Sequence, residues 1–493
     1  MRVTNSMTYG GAMNNIWKNA RYLNKLVTQI ETGKQIQRPS DDPLISARSL
    51  RIRTILSESE QFTRNVQQAM AWMEVSEAAF NSILTGTATQ PSIMQELNTL
   101  LIQAAQTGTN TLDDQRAILT EIEELYKQMY GVDMNQTYLN RYVFSGFHID
   151  QPPVLKTDMT GRSFVITQTF GMENIEKTLA FHRASPTSMP EDIKINLVKL
   201  PYDEVSFTSA TPAGAPALGI TLADGTAVTI VTITSDDAVA YRPADFDAMG
   251  NPVIHHIQDT GELIMTDAVR ELMQNAGGLN VTYEKSNVMT GELNPIVYFQ
   301  STEITGGVAV NYNTDGQNIQ AEISPGAYVT INSHARDVLS AALFADLKHL
   351  FEFADSLITS DPRVIEEYFR SPPHSLTDDD LNDSVQKFLS DEQAMFSSAI
   401  HDRINNMLKY IMDHAGQAQR EHTSLGANMA RLEMIGIRLE EEEVAYTELL
   451  SDNEDTDLSG TIFRKNGAES AYGFALQAIA RTVQLSLADF INR

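Results

Sequence analysis

The sequence contains no cysteine, and only two of its 493 residues are tryptophan. Without cysteine, disulfides, thiol catalysis and thiolate metal sites are excluded. No run of about 18 apolar residues is present, so we expect no transmembrane helix and no membrane insertion. The N-terminus also lacks the apolar core of a secretory signal peptide, which predicts a soluble protein or one that leaves the cell by another route.

Positive charge is scarce, because 36 Lys and Arg stand against 64 Asp and Glu and give a formal net charge of -28. This balance argues against binding to a phosphate backbone, and we expect no nucleic acid partner. The charge is uneven, since residues 1–53 hold nine Lys and Arg against three Asp and Glu, whereas residues 440–443 are all Glu. The two ends can therefore attract each other, by about 0 to 1 kcal/mol per exposed pair.

The motifs that identify common enzymes are missing, among them the P-loop, the dinucleotide fingerprint, the nucleophile elbow and the zinc-binding helix. We therefore predict no enzyme, with no catalytic residue, no cofactor-binding residue and no metal site. His255 and His256 with Asp259 form one weak metal candidate. Because adjacent residues of a strand point to opposite faces, a solvated histidine pair is the stronger prediction.

Two further weak candidates also have structural explanations. His414 and His422 are eight residues apart on one predicted helix, so we expect packed or partly exposed histidines that face a partner helix. The acidic cluster near the C-terminus lacks the spacing and the glycine of a calcium loop, and carboxylates at a helix start are favoured by the helix dipole. Helix capping is therefore predicted for Asp452, Glu454, Asp455 and Asp457.

Apolar residues near the N-terminus recur at spacings of three and four, which predicts an amphipathic helix that ends near Gly33. Asp42 and Pro43 predict the start of a second helix, because Asp caps free amides and Pro fits the first turn. Apolar and small residues at 52–83 then follow a heptad pattern, which is typical of a coiled-coil seam. If continuous over 43–84, this helix is roughly 60 Å long. Thr111 with Asp114 predicts another helix start.

Helical periodicity returns near Asp337 and becomes long from about Leu381. The last helix has one apolar stripe, as the first helix does, so these stripes must pair with each other or with copies of the chain. We therefore predict an assembly interface on the two terminal helices, formed by Met13, Ile16, Leu23, Ile30, Tyr472, Leu476, Ile479, Val483, Leu487 and Phe490.

Residues from about 141 to 335 alternate with a period of two, which predicts strands at 141–145, 164–170, 193–198 and 219–233. Asp224-Gly225 and Asp315-Gly316 suit tight hairpin turns. The predicted fold class is α+β, mainly α, as an elongated rod of long coiled-coil helices from both termini with a β-rich middle and an inserted outer β domain. The predicted regions are a terminal tube-forming region (1–42 with 452–493), a coiled-coil rod domain (43–150 with 336–451), the β part of the rod (151–184 with 291–335) and the outer β domain (185–290).

Several segments of the chain resemble the flagellin family. At the start, QIETGKQI at 29–36 is followed by PSDDP at 39–43, and NRYVFSG at 140–146 is similar to the family's crossing from helix to sheet. SDNEDTDL at 451–458 resembles the segment before the last helix. Filament members tend to continue the paired aspartates with alanines and a glycine, whereas this chain has Pro43-Leu44-Ile45, which favours a junction member of the family.

The resemblance covers about the first 150 and last 150 residues, and it implies a structural subunit that joins hook to filament by packing its terminal helices into a tube. It also implies export through the flagellar type III apparatus to the extracellular flagellum. The implied partners are copies of the chain, a neighbouring hook-associated protein, flagellin and an export chaperone that binds the last helix. The alternatives are a filament flagellin or, from another class, a surface adhesin or hydrolase on a helical stalk, with its site in 185–290.

Overall fold

The structure of the protein is a computed structural model. It describes residues 5–86, 91–106, 110–183, 185, 187–208, 214–237, 239–305, 308–371, 374 and 378–491. For residues 5–9, 378–379 and 481–491 only the backbone is described.

Helices dominate both ends of the chain, and strands dominate its middle, which confirms the predicted α+β, mainly α class. The described helices are α1 (Asn5–Thr32), α2 (Pro43–Phe80), α3 (Ile93–Ala104), α4 (Leu112–Gln128), α5 (Asp267–Ala276), α6 (Pro295–Tyr298), α7 (Ala335–Val338), α8 (Ala341–Ser356), α9 (Pro362–Arg370), α10 (Asp378–Glu454) and α11 (Leu458–Ile491).

The helix starts follow the capping residues of the sequence. The Asp42 carboxylate accepts hydrogen bonds from the backbone N–H groups of Leu44 and Ile45 at 3.0 and 3.2 Å, so α2 begins at Pro43 as predicted. Thr111 and Asp114 bond each other's backbone N–H in a capping box that opens α4. At the end of α1, Gly33 has a φ of 70°, a conformation that suits glycine.

The described strands are β1 (Thr137–Tyr138), β2 (Arg141–Tyr142), β3 (Met159–Phe170), β4 (Glu176–His182), β5 (Glu191–Lys199), β6 (Gly219–Leu222), β7 (Ala227–Ile233), β8 (Val253–Ile257), β9 (Glu262–Met265), β10 (Leu279–Val288), β11 (Ser301–Thr305), β12 (Val308–Tyr312), β13 (Gln320–Ser324) and β14 (Ala327–Thr330). Ten of them form one sheet, in the order β12-β11-β3-β10-β6-β7-β8-β9-β5-β4. The pairs β1-β2 and β13-β14 are separate two-stranded sheets.

Most neighbours in the ten-stranded sheet are antiparallel, whereas β7 and β8 pair in parallel from Thr229↔Val253 to Ile233↔Ile257. The longest pairing joins β3 to β10, from Leu279↔Phe170 to Val288↔Met159. Side chains from this sheet are among the most buried that the structure describes, with Phe164, Leu197 and Tyr283 fully enclosed. The core of the middle of the chain therefore lies against this sheet.

Three predictions for the middle are corrected by the structure. The strand predicted at 141–145 is short, because β2 is Arg141–Tyr142 alone. Gly316 has the expected positive φ of 71°, but β12 before it and β13 after it do not pair, so Asp315-Gly316 is a turn and not a hairpin. The helix α5 was missed inside a region read as β, although Thr266 caps its start and Gly277 ends it in the left-handed conformation.

The chain forms two compact units. The first consists of residues 1–67, 322–327 and 433–493, and the second of residues 68–321 and 328–432. Within the second unit, the boundary predicted at 185 falls between β4 and β5, which pair from Glu176↔Leu197 to His182↔Glu191. The boundary predicted at 290 follows β10, which pairs with β3. Residues 185–290 thus share one sheet with the strands on either side of them.

Candidate assembly surface

The segments that lead out of α1 and into α11 meet in the first unit, where they form what we call the terminal clasp, comprising Lys34, Arg53, Glu454 and Asp455. The backbone pairs as an antiparallel bridge between Lys34 and Asp455. Gln35 N–H donates to the Glu454 carbonyl at 2.6 Å, and Thr456 N–H donates to the Gly33 carbonyl at 2.9 Å. The two ends of the chain are therefore joined by main-chain hydrogen bonds.

Side chains of opposite charge complete the terminal clasp. Both carboxylate oxygens of Glu454 accept from the Arg53 guanidinium, at 3.0 Å from Nε and 2.7 Å from Nη2. Lys34 Nζ lies 2.6 Å from Asp455 Oδ1 and 3.4 Å from Glu454 Oε2. Hydrogen bonds from Arg53 lower the pKa of Glu454, and the hydrogen bond from Lys34 lowers the pKa of Asp455. Both acids are held in the charged form by this geometry.

The prediction of helix capping for the acidic cluster is therefore right for one member and wrong for three, since Asp452 lies in the last turn of α10 and not at a helix start. Asp457 caps α11, since its Oδ1 accepts from the Gly460 N–H at 3.1 Å. Glu454 and Asp455 instead serve as the acidic half of the terminal clasp, and sequence reasoning missed their partners. The available signal was the excess of basic residues in 1–53 opposite this cluster.

Beyond the terminal clasp, α1 and α11 pack against each other, as expected from their unpaired stripes. Of the predicted interface residues on α1, Ile16 is buried, Leu23 and Ile30 are half-buried, and Met13 is 52% exposed. On α11, Tyr472 and Ile479 are half-buried and Leu476 is 44% exposed. The side chains of the remaining three predicted members, Val483, Leu487 and Phe490, lie outside the described residues.

Contact between α1 and α11 leaves much apolar surface uncovered. Trp17 on α1 is 62% exposed, and Phe463 and Phe474 on α11 are 80% and 71% exposed. A large aromatic side chain in water forgoes the stabilisation that burial gives, and such groups in number mark an interaction surface. We refer to Met13, Trp17, Tyr22, Leu458, Ile462, Phe463, Phe474 and Leu476 as the exposed apolar set.

The histidines named as weak candidates lie in the second unit. His255 and His256 are buried within β8, so the prediction of a solvated pair is wrong. His255 Nδ1 lies 3.0 Å from the Ala240 carbonyl oxygen, and burial lowers the pKa of His256 to about 4. Sequence reasoning missed the burial because both faces of β8 are covered: all five of its residues are buried, and Phe207 packs on His256 with ring centroids 4.9 Å apart. His414 and His422 are half-buried, in agreement with the prediction.

His414 Nδ1 lies 3.1 Å from Ser340 Oγ, and His422 stacks on Phe80 with ring centroids 5.2 Å apart. Within the residues that the structure describes, no three His, Asp or Glu side chains are close enough together to hold a metal ion. The helices of that same part of the chain include none with the length and apolar character needed to cross a bilayer.

Residues 3–148 match the family model of the bacterial flagellin N-terminal helical region. This segment is similar to a flagellin N-terminal helical region. This match spans α1, α2, α3, α4 and the β1-β2 hairpin, and it confirms the resemblance to the flagellin family stated from the sequence. Of the terminal clasp, Lys34 and Arg53 lie within this matched segment.

Curated relatives extend the same result. The flagellin-like chain is 26% identical over 155 residues to flagellar hook-associated protein 3 of Salmonella typhimurium, covering 31% of this chain and 46% of the relative. It is 27% identical over 153 residues to the Escherichia coli protein of the same name, and this alignment also covers 31% of this chain and 46% of the relative. The chain thus spans about half the length of these two relatives. Flagellin of Bacillus subtilis is 25% identical over 303 residues, covering 58% of this chain and 86% of that protein.

Solved structures similar to the flagellin-like chain include a flagellar hook-associated protein from Vibrio parahaemolyticus, with 11% identity, a TM-score of 0.35 and coverage of 84% of this chain and 100% of the other. FlgL of Xanthomonas campestris is 12% identical, with a TM-score of 0.33, and the alignment covers 82% of this chain and 99% of FlgL. At these TM-scores the alignments support no functional conclusion.

Proposed function

We propose that this chain is a structural subunit of the bacterial flagellum that joins hook to filament by packing the terminal helices of neighbouring copies into a tube. The observation that carries the proposal is that α1 and α11 pair with each other yet leave the exposed apolar set uncovered. Burial of each large apolar side chain in a neighbouring copy contributes roughly 1.5 to 3 kcal/mol. The flagellin N-terminal helical region and the hook-associated relatives support this location.

The predicted interface residues are part of the proposal. In the assembled tube, Met13 and Leu476 become buried together with Trp17 and Phe474, whereas Ile16 already contributes to the pairing of α1 with α11. The remaining members on α11 continue the same stripe. The partners are copies of the chain, a neighbouring hook-associated protein and flagellin.

The finer division of the chain also belongs to the proposal, with a tube-forming region, a coiled-coil rod domain, its β part and an outer β region at 185–290. The heptad positions on α2 support the coiled-coil rod, since each of them is buried or half-buried. The shared ten-stranded sheet favours an outer region that is continuous with the β part and does not fold separately.

The proposed role is non-enzymatic and needs no cofactor. The subunit reaches the extracellular flagellum through the type III export apparatus, and a chaperone covers the apolar stripe of α11 before assembly. This chaperone contact follows from the same physics as the tube, because an isolated amphipathic helix leaves its stripe in water.

One observation favours a second candidate, the filament flagellin, because the alignment with Bacillus subtilis flagellin covers 86% of that protein. Electron microscopy of a strain that lacks this chain distinguishes the two. We expect hooks without filaments and flagellin monomers released to the medium. Loss of the filament together with the disappearance of the major filament protein itself would favour the second candidate.

Tryptophan fluorescence tests the assembly surface directly. Trp17 is 62% exposed on α1, whereas Trp72 is 6% exposed in the second unit, and these are the two tryptophans of the chain. In a Trp72→Phe variant the emission comes from Trp17 alone, and we expect it to shift to the blue on assembly. A Trp17→Phe variant, which reports on Trp72, should show no shift. An unshifted Trp17 in assembled material would contradict burial of α1 between copies.

Charge placed on the stripe gives a second test. Leu476→Asp with Ile479→Asp should abolish assembly, because two carboxylates would be desolvated without partners. The matched control is Gln386→Asp with Ser390→Asp, which adds the same charge at exposed positions of α10 in the second unit, away from the terminal helices. Filaments that attach firmly with the first variant at the junction would place the assembly interface elsewhere.

A further inference from the structure

A cavity of about 620 Å³ lies in the second unit, away from the terminal helices. Its walls come from the end of β4, the turn between β8 and β9, the helix α8 and the middle of α10. This volume is within the range of small-molecule sites, which are concave and combine apolar walls with a few placed polar groups. The assembly proposal does not use it.

The most informative residue of the cavity is Arg403 on α10, which is 4% exposed. Its guanidinium lies 3.8 Å from the centre of the Phe353 ring, so the ring holds the charged plane from one side. Nη1 is 3.5 Å from Glu262 Oε1, an ion pair without a hydrogen bond. Among the described residues, Nε and Nη1 have no hydrogen-bond acceptor.

Two other lining groups have unsatisfied polar atoms. Oε2 of Glu352 and Oγ1 of Thr260 have no hydrogen-bond partner within the part of the chain that the structure describes. The cavity thus combines the N–H donors of the Arg403 guanidinium with the Glu352 carboxylate, which accepts hydrogen bonds. The Thr260 hydroxyl can both donate and accept them. Aromatic side chains supply apolar walls, from Phe181, Tyr241, Phe353 and Phe396.

One wall is fixed by a buried ion pair. Glu392 is fully buried, and it accepts from the Ser360 N–H at 2.8 Å and from Ser360 Oγ at 2.9 Å. Arg183 donates to the same carboxylate and to Ser360 Oγ. These bonds hold the segment between α8 and α9 in place, so the cavity is formed before any ligand arrives.

The charge of the lining decides the ligand class. The lining has two arginines and four acidic residues, Asp236, Glu262, Glu352 and Asp361. Because acidic groups outnumber basic ones, the lining disfavours an anion. A cation would meet the unsatisfied donors of Arg403. Hydroxyl groups both donate and accept, and the C–H faces of a sugar ring are apolar enough to pack on aromatic walls. We propose that this cavity binds a neutral saccharide of one or two rings, held by Arg403, Thr260 and Glu352.

The test uses the full-length protein with glucose, galactose, N-acetylglucosamine and maltose as probes, each at about 20 mM, where weak binding is detectable. Saturation-transfer NMR should show transfer to at least one probe. For that probe, Arg403→Met should weaken binding about tenfold or more and Thr260→Val about threefold or more. Arg420→Met, a substitution at an exposed position of the same helix, should leave the affinity for that probe unchanged.

Circular dichroism establishes that each variant is folded, and the near-isosteric Thr260→Val keeps the test valid if Arg403→Met does not fold. Acetate and spermidine serve as charged probes. The proposal is overturned if no sugar receives saturation, if transfer is equal in wild type and Thr260→Val, or if either charged probe binds more tightly than every sugar.

Discussion

The terminal clasp makes a quantitative prediction for Glu454→Gln. The substitution keeps the shape of the side chain but removes the charge that holds Arg53 and Lys34. Hydrogen bonds to charged groups contribute about 1.5 to 3 kcal/mol, and since Arg53 is 59% and Lys34 42% exposed, solvent screening reduces the loss to about 1 to 2 kcal/mol. Both cations remain in contact with water, so the variant leaves no stranded buried charge.

Hydrogen exchange of the backbone amides measures this loss locally. Amides of α1 and α11 that exchange through opening of the terminal contact should do so about 5- to 30-fold faster in Glu454→Gln. Amides of α8, in the second unit, should keep their rates. Glu448→Gln is the matched control, because it removes an exposed carboxylate from the same helix. Equal rates in Glu454→Gln and wild type would refute the stabilising role of the terminal clasp.

Acid should have the same local effect. The folded-state pKa of Glu454 is lowered by the hydrogen bonds from Arg53, so its stabilisation is fully present above the ordinary pKa of 4.5. It is lost as the pH falls from 4.5 through the folded-state pKa. After correction for the slower intrinsic exchange of amides in acid, the opening constants of α1 and α11 should therefore rise in this window in wild type and much less in Glu454→Gln, whose side chain does not titrate.

Two further predictions concern the second unit. Burial raises the pKa of Glu352 to about 7, so its contribution to stability is greatest below pH 4.5 and is lost as the pH rises to 7. Because the side chain is 34% exposed, Glu352→Gln should reduce the stability difference between pH 5 and pH 8 in urea unfolding by about 1 to 2 kcal/mol, whereas Glu366→Gln should not. Gly261 has a φ of 74°, and a Cβ there would strike the Tyr202 carbonyl oxygen. Gly261→Ala should lower the melting temperature clearly more than Gly250→Ala, whose Cβ would meet open space at a φ of 84°; equal effects would contradict the argument.

The helical ends were predictable because their signals are local. Asp42 with Pro43, and Thr111 with Asp114, act within one turn of the helix that they start, so neither needs a distant partner. The pairing of the terminal helices was predictable for a different reason. Two amphipathic stripes in one chain have few ways to leave water, and mutual contact is the simplest.

The middle was less predictable because its partners are far apart in sequence. Nothing near His256 indicates that both faces of β8 are covered, since Phe207, which packs on the His256 ring, is 49 residues away. The Asp315-Gly316 pair has the right turn conformation, but pairing depends on which strand lies alongside, which is a tertiary property.

The members of the candidate site were only partly predictable. The stripe on each terminal helix was readable from spacing, whereas the partners of Glu454 depend on how the chain returns to its start. Lys34 and Asp455 are 421 residues apart. The uneven charge of the sequence indicated that the two ends attract each other, but it could not identify which basic residue pairs with which acidic one.

The separation of Lys34 and Asp455 along the chain also determines how long after the synthesis of Lys34 the terminal clasp can form. A ribosome adds about 5–20 residues per second, so Lys34 is made roughly 20 to 80 s before Asp455 exists to pair with it. During that interval α1 lacks α11, the helix it packs against, and most of the stability of an amphipathic helix comes from packing of its apolar face. The first unit is thus the last part of the molecule that can be completed, and any factor acting on the nascent chain meets its N-terminal stripe unpaired.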